Sequence, residues 1–214
     1  MNKKNEKTNA VNEALKLPLG DVFEQELQAL LQDGEQTENV TIAVFDIDKF
    51  DLVNKRLGYA EGDKVLIETG SYFLRGLPEG AKFYRFAGDM FSVIFPEETE
   101  KEDAFLLMEQ LRKGYMVETG DGQLQTVTIG IAAAPEDGTR PAELIRKAEG
   151  AMFRGKVKGR NRTCLAREEK MVTKTSHYTV DQLQRLTKLS KREGLGEAIL
   201  LREALDMLLK KYDV

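Results

Sequence analysis

The sequence predicts an α/β fold, a central mixed β-sheet flanked by helices, followed by a small C-terminal helical module. Three observations carry this. Strand-period and helix-period segments alternate from Leu17 to about Arg167. Two β-rich segments, Lys82–Phe86 and Phe91–Phe95, are separated only by Ala87-Gly88-Asp89-Met90, which predicts an antiparallel hairpin. Beyond residue 168 the pattern changes to two leucine-marked helices. Strand–helix units mixed with a hairpin define a layered α/β architecture rather than an all-parallel one.

Each element has its own signal. Residues 1–16 are polar and lysine-dotted, and read as a disordered tail. Phe23, Leu27, Leu30 and Leu31 mark one face of a first helix. Thr41–Asp48 is an apolar, β-prone run that ends in carboxylates. A helix follows from about Glu61 to Leu74, and another lies within Lys101–Arg112, after the hairpin. Thr126–Ala133 reads as a strand, Pro141–Lys156 as a helix and Arg162–Ala166 as a short closing strand. This gives three parts: the tail at 1–16, an α/β domain at 17–167 and a module at 168–214.

Composition removes several classes. The 214 residues are 41% hydrophobic and 32% charged, long enough for one domain and a small module with a core that needs no staples. One cysteine and one histidine exclude an intrachain disulfide and the common structural zinc sites. No apolar run approaches the ~20 residues of a membrane helix. The N-terminal stretch lacks the apolar centre of a signal peptide, so a cytoplasmic location is expected. A net charge of −4 gives no general attraction for nucleic acid.

Asp46 and Asp48 end the first strand, and Asp89 sits in the hairpin turn. If the two strands are neighbours, Asp46 and Asp89 converge at one sheet edge, where hard oxygen ligands suit Mg²⁺ completed by substrate phosphates. Aspartates also end strands and fill turns for purely local reasons. The wider spacing decides between these readings. Asn54 and Asp63 follow in DIDKFDLVNKRLGYAEGD, then RFAGDMF (Arg85–Phe91), TIGIA (Thr128–Ala132), PEDG (Pro135–Gly138) and KVKGRNR (Lys156–Arg162).

In this order the segments resemble the GGDEF domain, the diguanylate cyclase family. The resemblance covers Leu17–Arg167 and implies a fold like the palm of nucleotide polymerases and cyclases. It implies that two facing domains, each holding one GTP, condense them into cyclic di-GMP. Asp46, the carbonyl of Ile47 and Asp89 match the metal ligands. Asn54 and Asp63 match the guanine-reading pair, and an amide with a carboxylate can satisfy both donors and acceptors of that base. Lys156 and Arg160 match the triphosphate contacts; four apart, they would share a face if the helix continued that far. The backbone amides of Lys49 and Phe50 match a phosphate cradle, and Gly88 leaves the hairpin backbone open to a nucleotide.

The sequence also departs from the family. The signature loop reads Ala87-Gly88-Asp89-Met90-Phe91. Met90 replaces a glutamate, and a thioether neither takes a proton near neutrality nor ligates Mg²⁺ well. Asp51 replaces a lysine, putting negative charge where phosphate charge develops. Tyr59 replaces a histidine, and LPLGDVF (Leu17–Phe23) replaces the family's opening motif. Pro78 and Ala81 occupy the two positions of the product-inhibition motif, so that site is absent.

The C-terminal segment, with Leu186, Leu189, Gly194, Leu200, Leu201, Arg202, Ala204 and Leu205 in place, resembles a ribbon–helix–helix module. That implies an intertwined homodimer whose paired strands enter the DNA major groove, with Thr173, Thr175 and His177 facing bases. Lys174 and Ser176 would then hold core-facing positions that are normally apolar. Nine basic and eight acidic residues from Glu168 to Val214 make a poor phosphate-binding surface. The alternative is a helical hairpin for dimerisation or docking.

Together these features imply a degenerate diguanylate cyclase domain. It would bind GTP or a related guanine nucleotide with Mg²⁺, make little cyclic di-GMP and act in regulation, coupled to DNA through a dimeric C-terminus. An active cyclase is the first alternative. A protein-interaction scaffold that binds no nucleotide is the second.

Overall fold

The computed structural model describes residues 11–32, 39–166, 175–193 and 196–212. The chain divides into two compact units, Met1–Glu168 and Glu169–Val214.

The first unit is built on five strands: β1 (Val40–Ile47), β2 (Lys82–Ala87), β3 (Met90–Ile94), β4 (Val127–Ala134) and β5 (Thr163–Leu165). Their order is β2-β3-β1-β4-β5. β1 is central and antiparallel to both neighbours, while β4 and β5 pair in parallel. The hairpin closes as its turn residues require, with a bulge between Arg85 and Ala87 and Gly88 at φ 56°. All eight residues of β1 and all eight of β4 are buried, so neither strand alternates apolar with polar residues.

Among the described residues of this unit, five helices accompany the sheet: α1 (Gly20–Gln32), α2 (Phe50–Leu57), α3 (Tyr59–Gly76), α4 (Lys101–Lys113) and α5 (Pro141–Val157), preceded by a helical turn at 11–15. The core is two-sided. Phe45, Phe73, Phe91, Met108 and Ile129 lie on one face, under α3 and α4. Phe23, Leu27, Val44, Leu144 and Met152 lie on the other, under α1 and α5. The expected tail needs correction at its C-terminal end. Val11 is wholly buried and Leu15 nearly so. Leu15 packs where a Cβ on Gly70 would come within 2.6 Å of its Cδ1. Two apolar side chains in a polar stretch are enough to dock a helical turn; residues 1–10 lie outside the described residues.

The second unit contains α6 (Val180–Glu193) and α7 (Glu197–Lys211). Thr179 caps α6: its Oγ1 accepts the Gln182 amide N–H, and Gln182 Oε1 accepts the Thr179 N–H. Among the described residues, no helix is long and apolar enough to cross a membrane.

Candidate nucleotide site

The site assembles at the C-terminal end of β1. Asp46 stands opposite Met90 on β3 and Thr128 on β4, so all three side chains share one sheet face. Two glycines bring α5 down onto this row. A Cβ on Gly130 of β4 would lie 1.9 Å from the Ala148 carbonyl oxygen, and one on Gly155 of α5 would lie 2.7 Å from Thr128 Cγ2. The close approach lets Lys156, the next residue, place its Nζ on Asp46 Oδ2. Sequence reading used TIGIA only as a family marker; its glycine is what sets the height of the helix over the sheet.

Asp46 is 5% exposed, and its Oδ1 accepts no hydrogen bond from the protein. Burial pushes its pKa up to about 6; Lys156 opposes the rise, while the Asp89 and Asp48 charges add to it. An orphaned buried carboxylate oxygen beside a second carboxylate is a donor set that fits a hard divalent cation. Among the described residues, no three His, Cys, Asp or Glu side chains form a closed cage.

Asp48 is different. Its Oδ1 accepts from Thr128 Oγ1 at 2.6 Å, and its Oδ2 from Thr126 Oγ1 at 2.7 Å and the Asn161 N–H at 3.0 Å. This carboxylate is fully engaged within the protein, tying β4 and the loop after α5 to the end of β1.

Lys49 turns the chain from β1 into α2 at φ 58°, so Lys49 and Phe50 form the helix start. Asn54 on α2 lies against Gly62 on α3, where a Cβ would come within 2.0 Å of its Oδ1. Asp63, the next residue of α3, is half-buried and acts electrostatically on Arg85. Asn54 and Asp63 therefore come from facing helices joined at Gly58, which adopts φ 86°. Asp89 is half-buried in the hairpin turn. Arg85 braces that turn, donating from Nε and Nη2 to the Gly88 carbonyl and from Nη1 to Asn12 Oδ1. At Gly88 itself a Cβ would meet nothing within 4 Å, so the hairpin backbone is open there.

One expectation is corrected. α5 ends at Val157, and Arg160 lies beyond it at φ 66°, so Lys156 and Arg160 do not share a helix face. Gly159 stops the helix by turning to φ 106°. Asp51 is exposed on α2 and ion-paired with Lys55 at 2.9 Å.

In the second unit, Thr175 and His177 are exposed and outside any strand of the single chain; Thr173 lies outside the described residues.

The sheet order, the acidic end of β1 beside a hairpin turn and the basic loop after α5 define a palm-like, cyclase-type domain. The family model for the diguanylate cyclase GGDEF domain matches residues 16–162, and the chain belongs to that family. A ribbon–helix–helix domain model matches residues 173–213. The chain is 32% identical over 155 residues to the diguanylate cyclase TpbB of Pseudomonas aeruginosa, covering 70% of this chain and 36% of that protein. Against the diguanylate cyclase DgcZ of Escherichia coli it is 29% identical, covering 74% and 54% respectively. It thus spans between a third and a little over half the length of these relatives. The solved GGDEF domain of TpbB superposes with a TM-score of 0.67 at 31% identity, over 72% of this chain and 99% of that one. The GGDEF domain of DgcB from Caulobacter crescentus, solved with c-di-GMP, gives 0.64 at 25% identity, over 70% and 91%.

Proposed function

We propose that this protein binds GTP with Mg²⁺ and converts it to cyclic di-GMP only poorly, so that nucleotide occupancy is its signal. The observation that carries this reading is the row Asp46–Met90. Asp46, which matches the family's metal aspartate, is buried, while its neighbour on β3, a glutamate in the family, is a methionine packed against the α1–α5 core. The binding groups are kept and the acid–base group is lost. Asn54 and Asp63 read the guanine from α2 and α3. Arg160 and Lys156 meet the phosphates, Lys156 leaving Asp46 to do so, and the backbone at Lys49 and Phe50 cradles them. Bound Mg²⁺, held by Asp46, the Ile47 carbonyl and Asp89, supplies charge neutralisation at the phosphates. Met90 can take no proton from a 3′-hydroxyl, which leaves the attacking oxygen without a base from this position.

The ribbon–helix–helix segment supports a homodimer as the working form, with DNA as a further partner. Leu183, Leu205 and Leu208 are 43%, 54% and 51% exposed in the single chain, an apolar surface that a second copy would cover. In such a module the ribbon would pair between two chains.

The test is calorimetric titration of the full chain with GTP and Mg²⁺, run beside a chromatographic assay for cyclic di-GMP. Micromolar binding with negligible product is expected, and Asp63→Ala should weaken binding by about 1–3 kcal/mol. Robust turnover by the native chain would make it an active cyclase instead. No binding at all would leave a scaffold.

A further inference from the structure

The loop after α5 holds Gly159, Arg160 and Asn161 in succession at φ 106°, 66° and 47°. That conformation is routine for glycine, tolerated by asparagine and unfavourable for arginine. Consecutive side-chain-bearing residues remain there only when their surroundings over-determine them.

Two sets of contacts do so. From the end of β1, the Asp48 carboxylate accepts the Asn161 N–H at 3.0 Å. From α4, Arg112 Nη1 donates to Asn161 Oδ1 at 2.5 Å. The rest of the same guanidinium is taken up by Glu109, with Nε on Oε2 at 2.8 Å and Nη2 on Oε1 at 2.7 Å. The Arg112 side chain is only 12% exposed. A planar fork held along one edge by two bonds fixes its remaining donor in space, which a lysine ammonium cannot do.

We propose that Arg112, oriented by Glu109, and Asp48 are positioning residues that lock Asn161 and thereby aim Arg160 at the triphosphate of a bound guanine nucleotide. This rests on the reading of the site as a GTP site. It adds a helix outside the family's motifs, α4, to the machinery that sets phosphate affinity. Neither Arg112 nor Asp48 touches the nucleotide; both act through the backbone and amide of Asn161.

The test uses the full chain and two probes, GTP with Mg²⁺ and guanosine, titrated calorimetrically against Arg112→Gln, Arg112→Lys, Asn161→Gly and the Arg112→Gln/Asn161→Gly double variant. Glycine keeps the left-handed backbone while deleting the amide, so Asn161→Gly carries the same comparison if Arg112→Gln fails to fold. Misplacing Arg160 should weaken GTP about tenfold and leave guanosine within about twofold. Lysine at 112 should not restore GTP affinity. The double variant should lose no more than the larger single loss, because both substitutions break one link.

Unchanged GTP affinity in Arg112→Gln and Asn161→Gly overturns the proposal while leaving the GTP site intact. Equal losses for GTP and guanosine overturn it as a general structural effect. Restoration by lysine, or additive losses, overturns it in favour of charge acting directly on the phosphates. A native chain that binds neither probe removes the GTP reading and the proposal together.

Discussion

Replacing Gly62 with alanine displaces one proposed guanine reader without altering it chemically. A Cβ at this position lies 2.0 Å from Asn54 Oδ1, 3.0 Å from its Cγ and 3.2 Å from Phe50 Cζ. The backbone does not resist, since Gly62 sits inside α3, where alanine is the better helix former by about 1 kcal/mol. The strain falls on the free end of the Asn54 side chain, which relieves it by rotating away. An amide that pairs with the guanine edge then loses its hydrogen bonds, a cost of about 1–3 kcal/mol. That corresponds to a loss of roughly fivefold to a hundredfold in GTP affinity. The assay is calorimetric titration with GTP and with ATP, together with a thermal melt. GTP should weaken, ATP should not change and the melting temperature should not fall. Unchanged GTP affinity would refute the assignment of Asn54 to the base. A collapsed melting temperature would refute the claim that Asn54 is the group that yields.

Three other outcomes are expected. Arg112 beside Glu109 holds that carboxylate down to about pKa 2, so the folded state gains stability that is full above the unfolded value near 4.5 and is lost as pH falls toward 2. Glu109→Gln should therefore cost at most about 3 kcal/mol at neutral pH and flatten the acid limb of the denaturation profile, measured by urea unfolding between pH 2 and 7. Light scattering should give a dimer for the full chain and mostly monomer for a version ending at Arg167; a monomeric full chain at micromolar concentration would remove the ribbon–helix–helix dimer and the DNA partner with it. Met90→Glu should raise cyclic di-GMP synthesis in the chromatographic assay, with Asp51→Lys adding to it.

The fold was legible because its signals are local. The apolar run ending at Asp46, the four-residue turn at Ala87–Met90 and the proline opening α5 each dictate a structure within a few residues. Ordered motif spacing singled out Asp46, Asn54, Asp63 and Lys156, of which the structure joins Lys156 to Asp46 and sets Asn54 against Gly62, the residue before Asp63. What stayed illegible depends on contacts made across the fold. The polar stretch before Leu17 gives no hint that Val11 is buried and that Leu15 fills a notch at Gly70. Nothing at Gly130 or Gly155 alone says that they face each other's elements and set the reach of Lys156. The i, i+4 spacing of Lys156 and Arg160 looked helical because a helix precedes it, but Gly159 ends that helix and the Asp48 and Arg112 contacts take over. Arg112 carries no motif, so only the structure could bring it to the loop.

The methionine at position 90 also bears on the charge of Asp46. Asp46 is buried, the Asp89 and Asp48 charges act on it, and Lys156 is ion-paired to it. A glutamate at 90 would stand directly opposite on β3. Two carboxylates about 5 Å apart at an effective dielectric near 20 repel by roughly 3 kcal/mol, and partial exposure of position 90 with ordinary salt brings this to about 1–2 kcal/mol. Methionine avoids that repulsion and packs against the α1–α5 core. Met90→Glu should therefore melt lower than the native chain in the presence of a chelator, by about 2–8 °C for a chain of this size. Mg²⁺ with GTP should recover more of the melting temperature in the variant than in the native protein, because the added carboxylate gains a cation to face. If the two chains melt alike with and without Mg²⁺, position 90 does not act on Asp46.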